Sequence, residues 1–476
     1  MLLPAVVLTS WSITAFRMEC SARAMRTLPC QSAGTRVELV GMIANDPIQS
    51  QGEVESRSSW NFKLRVEKFR QGDSSPWQEA GGTINAYWRS PRKGKAPSYG
   101  ERWQIPGVLY LSSDMRENRV SLSMQQCHFR GNWYHADCIS AGHGNSFVAW
   151  CYEQRHSTAE CLSLGIEDFP NHVALLHALI LGYRQRLSAS IWSNFAFTGT
   201  LHIFAISGLH VGMVALIITF ALTSFRISRV YWALFLCPLL LIYTIGTGMR
   251  ASAVRACIMA IVYFAAPLLK RKADGLSTLA LACLIILAIA PTQLLDKGFI
   301  FSFVVVTGLI VLYRHFEKPL RRLCEPDPLR LQIEPKWIVI LRAFGKRIAS
   351  LTAISCSAWL ASAPLSAYFF GQFTPIALPS NLVVVPLAFL IVLTGSLSLI
   401  LGSWLSLFAN LFNHANLALI ALLEQVIALM ALVPYGSIKV PKPPLFSLCL
   451  WYVGLLFAAM WFRSRGNRAS STAQRN

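Results

Sequence analysis

The spacing of apolar residues changes once along this chain, from every second residue to long uninterrupted runs. Between about residues 35 and 130, apolar and polar residues alternate, most clearly in residues 37–43 and 61–69. Such alternation is typical of half-buried β-strands. Further strand-like segments, separated by clusters of Gly, Pro, Asp and Ser, follow in residues 82–89, 102–112 and 119–129. Five short strands in about a hundred residues predict a small all-β barrel, with an OB-like fold as the first expectation.

The second half of the chain consists of apolar segments long enough to cross a bilayer, which takes ~20 residues in a helix. Residues 348–423 contain no Lys, Arg, Asp or Glu. The other apolar segments are residues 198–225, 230–249, 251–269, 275–295, 298–313 and 445–462. We therefore predict a polytopic α-helical membrane protein with about eight core spans and an N-terminal all-β domain. The uncharged residues 2–16 add a candidate N-terminal membrane anchor.

These patterns divide the chain into five regions. They are a candidate anchor in residues 1–17, a β-barrel domain in 31–140, an amphipathic helical connector in 141–197, a transmembrane domain in 198–465 and a tail in 466–476. Within the connector, residues 147–163 predict an amphipathic helix, and Pro170 marks the first turn of the next helix. Residues 171–181 are apolar enough to lie on or in the membrane surface.

Composition and charge agree with a membrane protein. Of the 476 residues, 54% are hydrophobic and 14% are charged, whereas soluble domains carry ~25% charged residues. When the spans are counted, the basic clusters all fall on one side; they lie at residues 226–229, 270–272, 314–347 and 463–468. The positive-inside rule makes that side cytoplasmic, so we expect an extracytoplasmic barrel and a cytoplasmic C-terminus. The net charge of +20 fits both anionic membrane lipid and a polyanionic substrate.

The most unusual apolar segment begins at residue 198 and carries His202, Ser207, Gly208 and His210. Polar groups at membrane depth usually face a bundle interior or a water-filled path. On a helix, Ser207 and His210 share a face, and Gly208 with Gly212 lets another helix approach closely. These residues predict either the lining of a substrate path or a packing helix whose polar side chains bind neighbouring backbone groups.

Further polar groups interrupt the later apolar segments. Ser252 and Arg255 share a face of one predicted span, where an arginine needs a partner or a wet cavity. Arg255 either lines the path, binding phosphate oxygens in pairs, or forms a structural ion pair with Glu424. Four prolines between residues 364 and 386 predict broken helices around a cavity, which makes Asn381 a candidate pore-facing group.

Aromatic and basic residues interleave in the barrel domain, where residues 57–130 hold thirteen Lys or Arg against six Asp or Glu. Cations that contact phosphates, with aromatic rings that stack on bases, are typical of surfaces that bind single-stranded nucleic acid. The predicted DNA-binding surface consists of Trp60, Lys63, Arg65, Trp88 and Arg89. The alternative is that the aromatic side chains fill the barrel and the charges are ordinary solvated surface.

No residue of this sequence is assigned a catalytic role, and we expect no metal site and no cofactor. The histidines lack metal-ligand spacing, and without a Walker loop the chain is not expected to hydrolyse ATP. The twelve cysteines include no Cys-x-x-Cys pair. Disulfides among Cys127, Cys138, Cys151 and Cys161 are a weaker expectation, because they require an oxidising exterior.

Four motifs together resemble the ComEC family of bacterial competence proteins. They are residues 202–212 (His-Ile-Phe-Ala-Ile-Ser-Gly-Leu-His-Val-Gly), 252–256 (Ser-Ala-Val-Arg-Ala), 291–303 and 381–386. The resemblance covers about residues 30–433. It implies a channel in the cell inner membrane that imports single-stranded DNA into the cytoplasm during natural transformation. It also implies a separate cytoplasmic ATP-driven motor and DNA-receptor proteins as partners, besides membrane lipid, and a homo-oligomer is a further expectation.

Many members of that family continue into a metallo-β-lactamase-like domain. We expect this chain to be a form without that domain, so a nuclease role is not carried over to it. Two other functions stay open on the sequence. Ser207 with His210 or His202 could act as nucleophile and base of an intramembrane serine hydrolase, which a serine-directed probe would label. A membrane scaffold that transports nothing would instead tolerate substitutions along the predicted path.

Overall fold

A computed structural model of the protein describes residues 35–50, 57–72, 75–91, 96–111, 127–131, 136–204, 208–271, 274–325, 335–402 and 404–458. The candidate anchor of residues 1–17 and the tail of residues 466–476 lie outside the described residues. The anchor, the tail and Ser207 therefore receive no structural description.

The N-terminal domain is a β-sheet that closes on itself. Its strands in the described residues are β1 Thr35–Ile43, β2 Ile48–Ser50, β3 Arg57–Arg70, β4 Gln78–Glu79, β5 Thr83–Pro91, β6 Arg102–Leu111, β7 Cys127–Gly131 and β8 Asp137–Ser140. Because β1 pairs with both β3 and β6, the strands form a ring in the order β1-β3-β5-β7-β6. The β5–β7 pairing is parallel and the other pairings in the ring are antiparallel. The predicted N-terminal all-β region is confirmed.

Strict alternation along the strands fills the ring with apolar side chains. Leu39 and Ile84 are completely buried there, among neighbours of the same kind. Gly41 allows β1 to bend, since the pairing of β1 with β3 shifts register at this residue. A Cβ atom at position 41 would lie 2.4 Å from the carbonyl oxygen of Arg65, so no larger residue fits without displacement of the backbone.

Three helices connect the barrel to the bundle: α1 Ser146–Ser163, α2 Pro170–Ile180 and α3 Ala189–Phe197. Asn145 begins α1 by accepting a hydrogen bond from the N–H of Phe147 at 2.9 Å, and Pro170 stands in the first turn of α2 as predicted. Every residue of α2 from Ala174 onward is buried. Other helices enclose this segment, and its position relative to the membrane surface stays a prediction.

The described residues after α3 are mainly helical. The helices are α4 Gly208–Ser224, α5 Trp232–Gly246, α6 Ala251–Ala265, α7 Gly275–Ile289, α8 Lys297–Arg322, α9 Lys336–Phe370, α10 Ala377–Gly402, α11 Ser406–Ala431 and α12 Leu445–Ala458. Within the described residues, six segments are long and apolar enough to cross a membrane: Arg229–Gly246, Ala251–Leu269, Lys297–Arg322, Lys336–Phe370, Ala377–Gly402 and Ser406–Ala431. Helices α4, α7 and α12 are apolar but shorter. The multi-pass character is supported, while about eight core spans stays a prediction.

Large apolar side chains cover the outside of these helices. Phe220 on α4 is 75% exposed and Trp404, just before α11, is 86% exposed. In water, so much exposed apolar surface would drive association, whereas in a bilayer it contacts lipid. The helical half of the chain is thus built for a membrane.

The segment of residues 198–225 is not one continuous helix, contrary to the sequence prediction. Leu201–Ile203 is a 3₁₀ turn, and α4 begins at Gly208. Gly199 ends the regular backbone ahead of this turn because its φ of +69° lies in the left-handed region. A Cβ atom at position 199 would also lie 3.0 Å from the Cβ of Ala377, so glycine permits close contact with the start of α10.

The helices predicted to break at prolines are continuous. Pro364 lies inside α9 and Pro386 inside α10, so the interruptions predicted at these two residues are wrong. Membrane helices tolerate proline where neighbouring groups satisfy the freed backbone carbonyl. The chain reverses instead at Gly371, whose φ is +62°, and Gln372–Phe373 then pairs with Ile438–Lys439 in a small antiparallel sheet.

The expected disulfides are absent among the described cysteines. Cys138, Cys151 and Cys161 are all free thiols. The expectation that these three pair with one another is therefore wrong, and the side chain of Cys127 lies outside the described residues.

Candidate functional site

Arg255 is held in an ion pair near the start of α6. Its side chain is only 5% exposed, and its Nη1 lies 3.2 Å from Oδ2 of Asp296. The same nitrogen lies 3.4 Å from Oε1 of Gln293. Asp296 in turn caps α8 by accepting a hydrogen bond from the N–H of Phe299 at 3.0 Å. One carboxylate thus fixes the beginning of α8 against α6.

Glu424, the partner suggested by the sequence, does not pair with Arg255. It lies on α11, where Oε2 is 3.6 Å from Nε2 of His172. The structural ion pair expected of Arg255 exists, but its acid is Asp296. Gly298 leaves room for the guanidinium, because a Cβ atom at that position would lie 3.0 Å from Nη2 of Arg255.

The two histidines of the motif that begins at residue 198 bind different backbone groups. His210 on α4 is 1% exposed and hydrogen-bonds to the backbone of Leu179 on α2. His202 is exposed, and its Nδ1 lies 3.3 Å from the carbonyl oxygen of Gly199. Ser207 lies outside the described residues, so the geometry of a Ser207–His210 pair is not defined. For the two histidines, the contacts match the packing alternative drawn from the sequence.

The predicted ridge of small residues is formed at one of its two glycines. A Cβ atom on Gly208 would lie 3.6 Å from the Cβ of Ala256 on α6, whereas one on Gly212 would have no atom within 4 Å. Helices α4 and α6 therefore approach each other closely at Gly208. Ser252 lies in the first turn of α6, half-buried and one turn before Arg255.

Asn381 is half-buried near the start of α10. Within the part of the chain that the structure describes, its buried Oδ1 has no hydrogen-bond partner. An unsatisfied amide oxygen at this depth is costly unless water or a ligand reaches it. The expectation that Asn381 faces a pore stays a prediction.

A second buried amide, which the sequence reasoning missed, has a structural role. The Nδ2 of Asn413 on α11 donates to the carbonyl oxygens of Cys161 at 2.9 Å and Leu164 at 3.0 Å. Its Oδ1 accepts a hydrogen bond from the hydroxyl of Ser398 at 2.8 Å. This amide ties the end of α1 to α10 and α11. Asparagines at every third position of an apolar helix, Asn410, Asn413 and Asn416, are the signal that could have found it.

Only some residues of the predicted DNA-binding surface lie on the outside of the barrel. Trp88 is completely buried and Trp60 packs against the barrel core, so the prediction that these rings are free to stack on bases is wrong. The physical reason is strand alternation, since Trp88 shares the inner face of β5 with Ile84. Lys63 and Arg65 point outward on β3, and the side chain of Arg89 on β5 lies outside the described residues.

Asp46, which the sequence reasoning also missed, joins the barrel to the helices. It lies between β1 and β2 and is 4% exposed. Its Oδ2 lies 3.1 Å from Nη1 of Arg155 and 3.4 Å from the hydroxyl of Tyr183. Its Oδ1 lies 3.1 Å from Nε2 of His156. Arg155 also donates to the carbonyl oxygen of Leu181 at 2.6 Å, so the link reaches the turn after α2.

This junction shifts the titration of its members. The hydrogen bond that His156 donates to Asp46 raises the pKa of His156, because the carboxylate stabilises the imidazolium. Burial raises the pKa of Tyr183 to about 12, and the guanidinium of Arg155 lies 4.1 Å from the centre of its ring. The local sequence around Asp46, a loop residue followed by Pro47, does not indicate these contacts. The described partners of its side chain lie more than a hundred residues away in the sequence.

The fold and these contacts define a class, that of multi-pass helical membrane proteins with an N-terminal β-barrel domain. Comparison with known families is specific: the model of the competence protein family matches residues 179–465. The chain belongs to the competence protein family, which confirms the ComEC resemblance of its motifs. It is also similar to ComE operon protein 3 of Bacillus subtilis (strain 168), with 27% identity over 297 residues. That alignment covers 62% of this chain and 35% of the relative. No solved structure matches significantly.

Proposed function

We propose that this protein is the membrane channel through which single-stranded DNA enters the cytoplasm during natural transformation. The observation that carries the proposal is the position of the family match. Residues 179–465 include the membrane helices and also every residue of the predicted path. A role in competence DNA uptake follows from membership of the family. The channel function, as distinct from that broader role, is our inference from polar groups at bilayer depth.

The barrel is proposed to be an OB-like module that receives the strand. Its support is the ring order β1-β3-β5-β7-β6 with a single parallel pairing, which is the five-stranded Greek-key arrangement of that fold. Lys63 and Arg65 supply outward cations for phosphates. With Trp60 and Trp88 inside the barrel, recognition at this face rests on charge more than on stacking.

The proposed path follows His210, Ser252, Arg255 and Asn381, with His202, Ser207 and Gly208 at the head of α4. In the described conformation Arg255 is neutralised by Asp296. Contact between Arg255 and DNA phosphate therefore requires this pair to open. The Oδ1 of Asn381 is buried and unsatisfied among the described residues, so its contact with the strand also requires a local rearrangement.

We further propose an inner-membrane location with the barrel outside and the C-terminus in the cytoplasm. Basic residues at the ends of helices support this orientation, for example Arg321 and Arg322 at the end of α8. A cytoplasmic ATP-driven motor and DNA-receptor proteins would supply energy and DNA. Membrane lipid and a second copy of the chain complete the proposed partners, and the chain itself is proposed to act as a transporter, without a catalytic step.

A photo-crosslinking residue at position 381 tests the proposed path. In cells taking up labelled DNA, we expect a DNA crosslink from Asn381 replaced by benzoylphenylalanine. The matched control is Leu390, nine residues further along α10 and therefore on the opposite side of the helix, where it is 42% exposed. Equal crosslinks from both positions, or a crosslink from Leu390 alone, would contradict the path.

A further inference from the structure

Four arginines converge where the barrel meets the bundle. Arg155 binds the carbonyl oxygen of Leu181, and Arg250, just before α6, donates to the carbonyl oxygen of Gly182. The guanidinium of Arg186 lies 5.2 Å from the ring centre of Tyr183, in the same turn. Arg184 is part of that turn as well. One short turn after α2 therefore gathers cations from α1, from the turn itself and from the start of α6.

Within the described contacts, Asp46 pairs with Arg155 of this cluster, and no ion pair to a carboxylate is described for Arg184, Arg186 or Arg250. Asp46 is bound to Arg155 at 3.1 Å and is shared with His156. Its negative charge therefore mainly neutralises Arg155. Burial, followed by the positive charges of Arg184 and Arg155, lowers the pKa of Arg250 to about 10. The shift comes first from burial, and the neighbouring positive charges add to it.

Crowded cations with limited access to water are costly unless an anion joins them. Arg184, Arg186 and Arg250 are each half-buried residues, in contrast to Arg155. Arg155, with a side chain only 3% exposed, is the structural member that links the cluster to the barrel. Guanidinium groups bind phosphate oxygens in pairs through parallel N–H donors.

We infer that Arg184, Arg186 and Arg250 form a phosphodiester-binding site between the barrel and the bundle, which receives the backbone of the incoming single strand. The inference deepens the proposed channel function and rests on it. The cluster lies beside the Asp46–Arg155 link between barrel and helices, and Arg250 directly precedes α6, which carries Arg255 five residues further on. In this proposal the site binds the strand after the barrel and before the helical path.

Binding of a fluorescent oligothymidylate to the full-length protein in zwitterionic nanodiscs tests the site. Replacement of all three arginines by Gln is expected to weaken binding about tenfold at moderate salt. The slope of log affinity against log salt should fall by about 0.7 for each phosphate group that the variant no longer binds. The matched control is Arg322→Gln, which removes an exposed charge at the C-terminal end of α8. Arg322 is not part of the cluster, and it lies about 39 Å along α8 from Asp296, the residue that begins this helix.

Two further variants keep the test decisive. A triple Lys variant retains the charge and is expected to keep most of the salt slope, with weaker binding because the forked donors are absent. If the triple Gln variant does not fold, Arg186→Gln alone is measured, since the one described contact of its guanidinium is with the Tyr183 ring. A smaller affinity and slope for Arg186→Gln supports the site.

Three outcomes would overturn the inference, and they differ in what else they affect. Wild-type binding that the Gln variants leave unchanged removes the site but leaves the channel proposal intact. A wild-type protein that binds no single-stranded DNA contradicts both. Variants that keep DNA binding but no longer retain anionic phosphatidylglycerol from mixed nanodiscs would assign the cluster to lipid phosphate instead.

Discussion

Arg255 on α6 and Asp296 at the start of α8 form an ion pair of 3.2 Å between side chains that are 5% and 46% exposed. The pair joins two helices between which α7 lies in the sequence. Its strength lies between that of a surface pair, about 1 kcal/mol or less, and that of a buried pair whose loss costs about 3–5 kcal/mol. It is the principal described contact of the arginine that the sequence places on the predicted path.

Arg255→Ala should therefore destabilise the protein by about 2 kcal/mol, because it leaves Asp296 without its cation. The measurement is the fraction of folded protein after heating in detergent, read by size-exclusion fluorescence. Arg255→Met combined with Asp296→Asn should recover part of the loss. Glu424→Gln is the control, and an equal loss from that variant would argue against a special role of the Asp296 pair.

Close helix contact at Gly308 gives a second prediction. A Cβ atom at Gly308 on α8 would lie 2.5 Å from the Cβ of Ala361 on α9, whereas one at Gly212 on α4 would meet nothing within 4 Å. Gly308→Ala should lower thermal stability, because overpacking typically costs about 1–3 kcal/mol. Gly212→Ala should be neutral or slightly stabilising. The same heating assay compares them, and two equal responses would contradict the described packing of α8 on α9.

The contact between His156 and Asp46 predicts a pH dependence. Because Asp46 raises the pKa of His156, the ion pair stabilises the fold below the ordinary histidine pKa of about 6.5. That contribution is lost as the pH rises through the raised value. The effect should be small, since the His156 side chain is 54% exposed. We expect His156→Gln to lower the unfolding midpoint at about pH 6 but not at about pH 8.5. A constant difference across this range would rule out the titration.

The barrel offers a test that separates stability from binding. Trp88 is completely buried, with its ring centre 4.8 Å from that of Trp103, so Trp88→Ala should destabilise the barrel by about 3–5 kcal/mol. Lys63→Gln with Arg65→Gln should leave stability unchanged and reduce the salt slope of oligothymidylate binding by about 0.7 per phosphate group released. Limited proteolysis reports the first effect and fluorescence anisotropy the second. An unchanged salt slope in the double Gln variant would contradict the role of Lys63 and Arg65 in DNA binding.

The elements that the sequence predicted well are those with a local pattern. Alternation in residues 37–43 predicted β1, and apolar length predicted α9 and α10. The contacts that it missed are made between distant residues. Asp296 lies 41 positions from Arg255, and Asp46 lies 109 positions from Arg155.

Errors at single residues have equally physical causes. Trp88 was assigned to a surface because tryptophan suits base stacking, yet strand alternation puts it inside. Pro364 and Pro386 predicted breaks because proline removes a backbone donor, but helices in a bundle can continue past it. Gly199 and Gly371, with positive φ, mark two of the places where the chain turns.

The central claim is that DNA reaches the cytoplasm through this protein. The most direct measurement is the uptake of fluorescently labelled duplex DNA by a transformable host, with and without the chromosomal copy of its gene. We predict that cells lacking the protein still bind DNA at their surface but accumulate no nuclease-protected label in the cytoplasm. A plasmid copy of the wild-type chain should restore this accumulation. Normal cytoplasmic accumulation in the deletion strain would contradict the channel function.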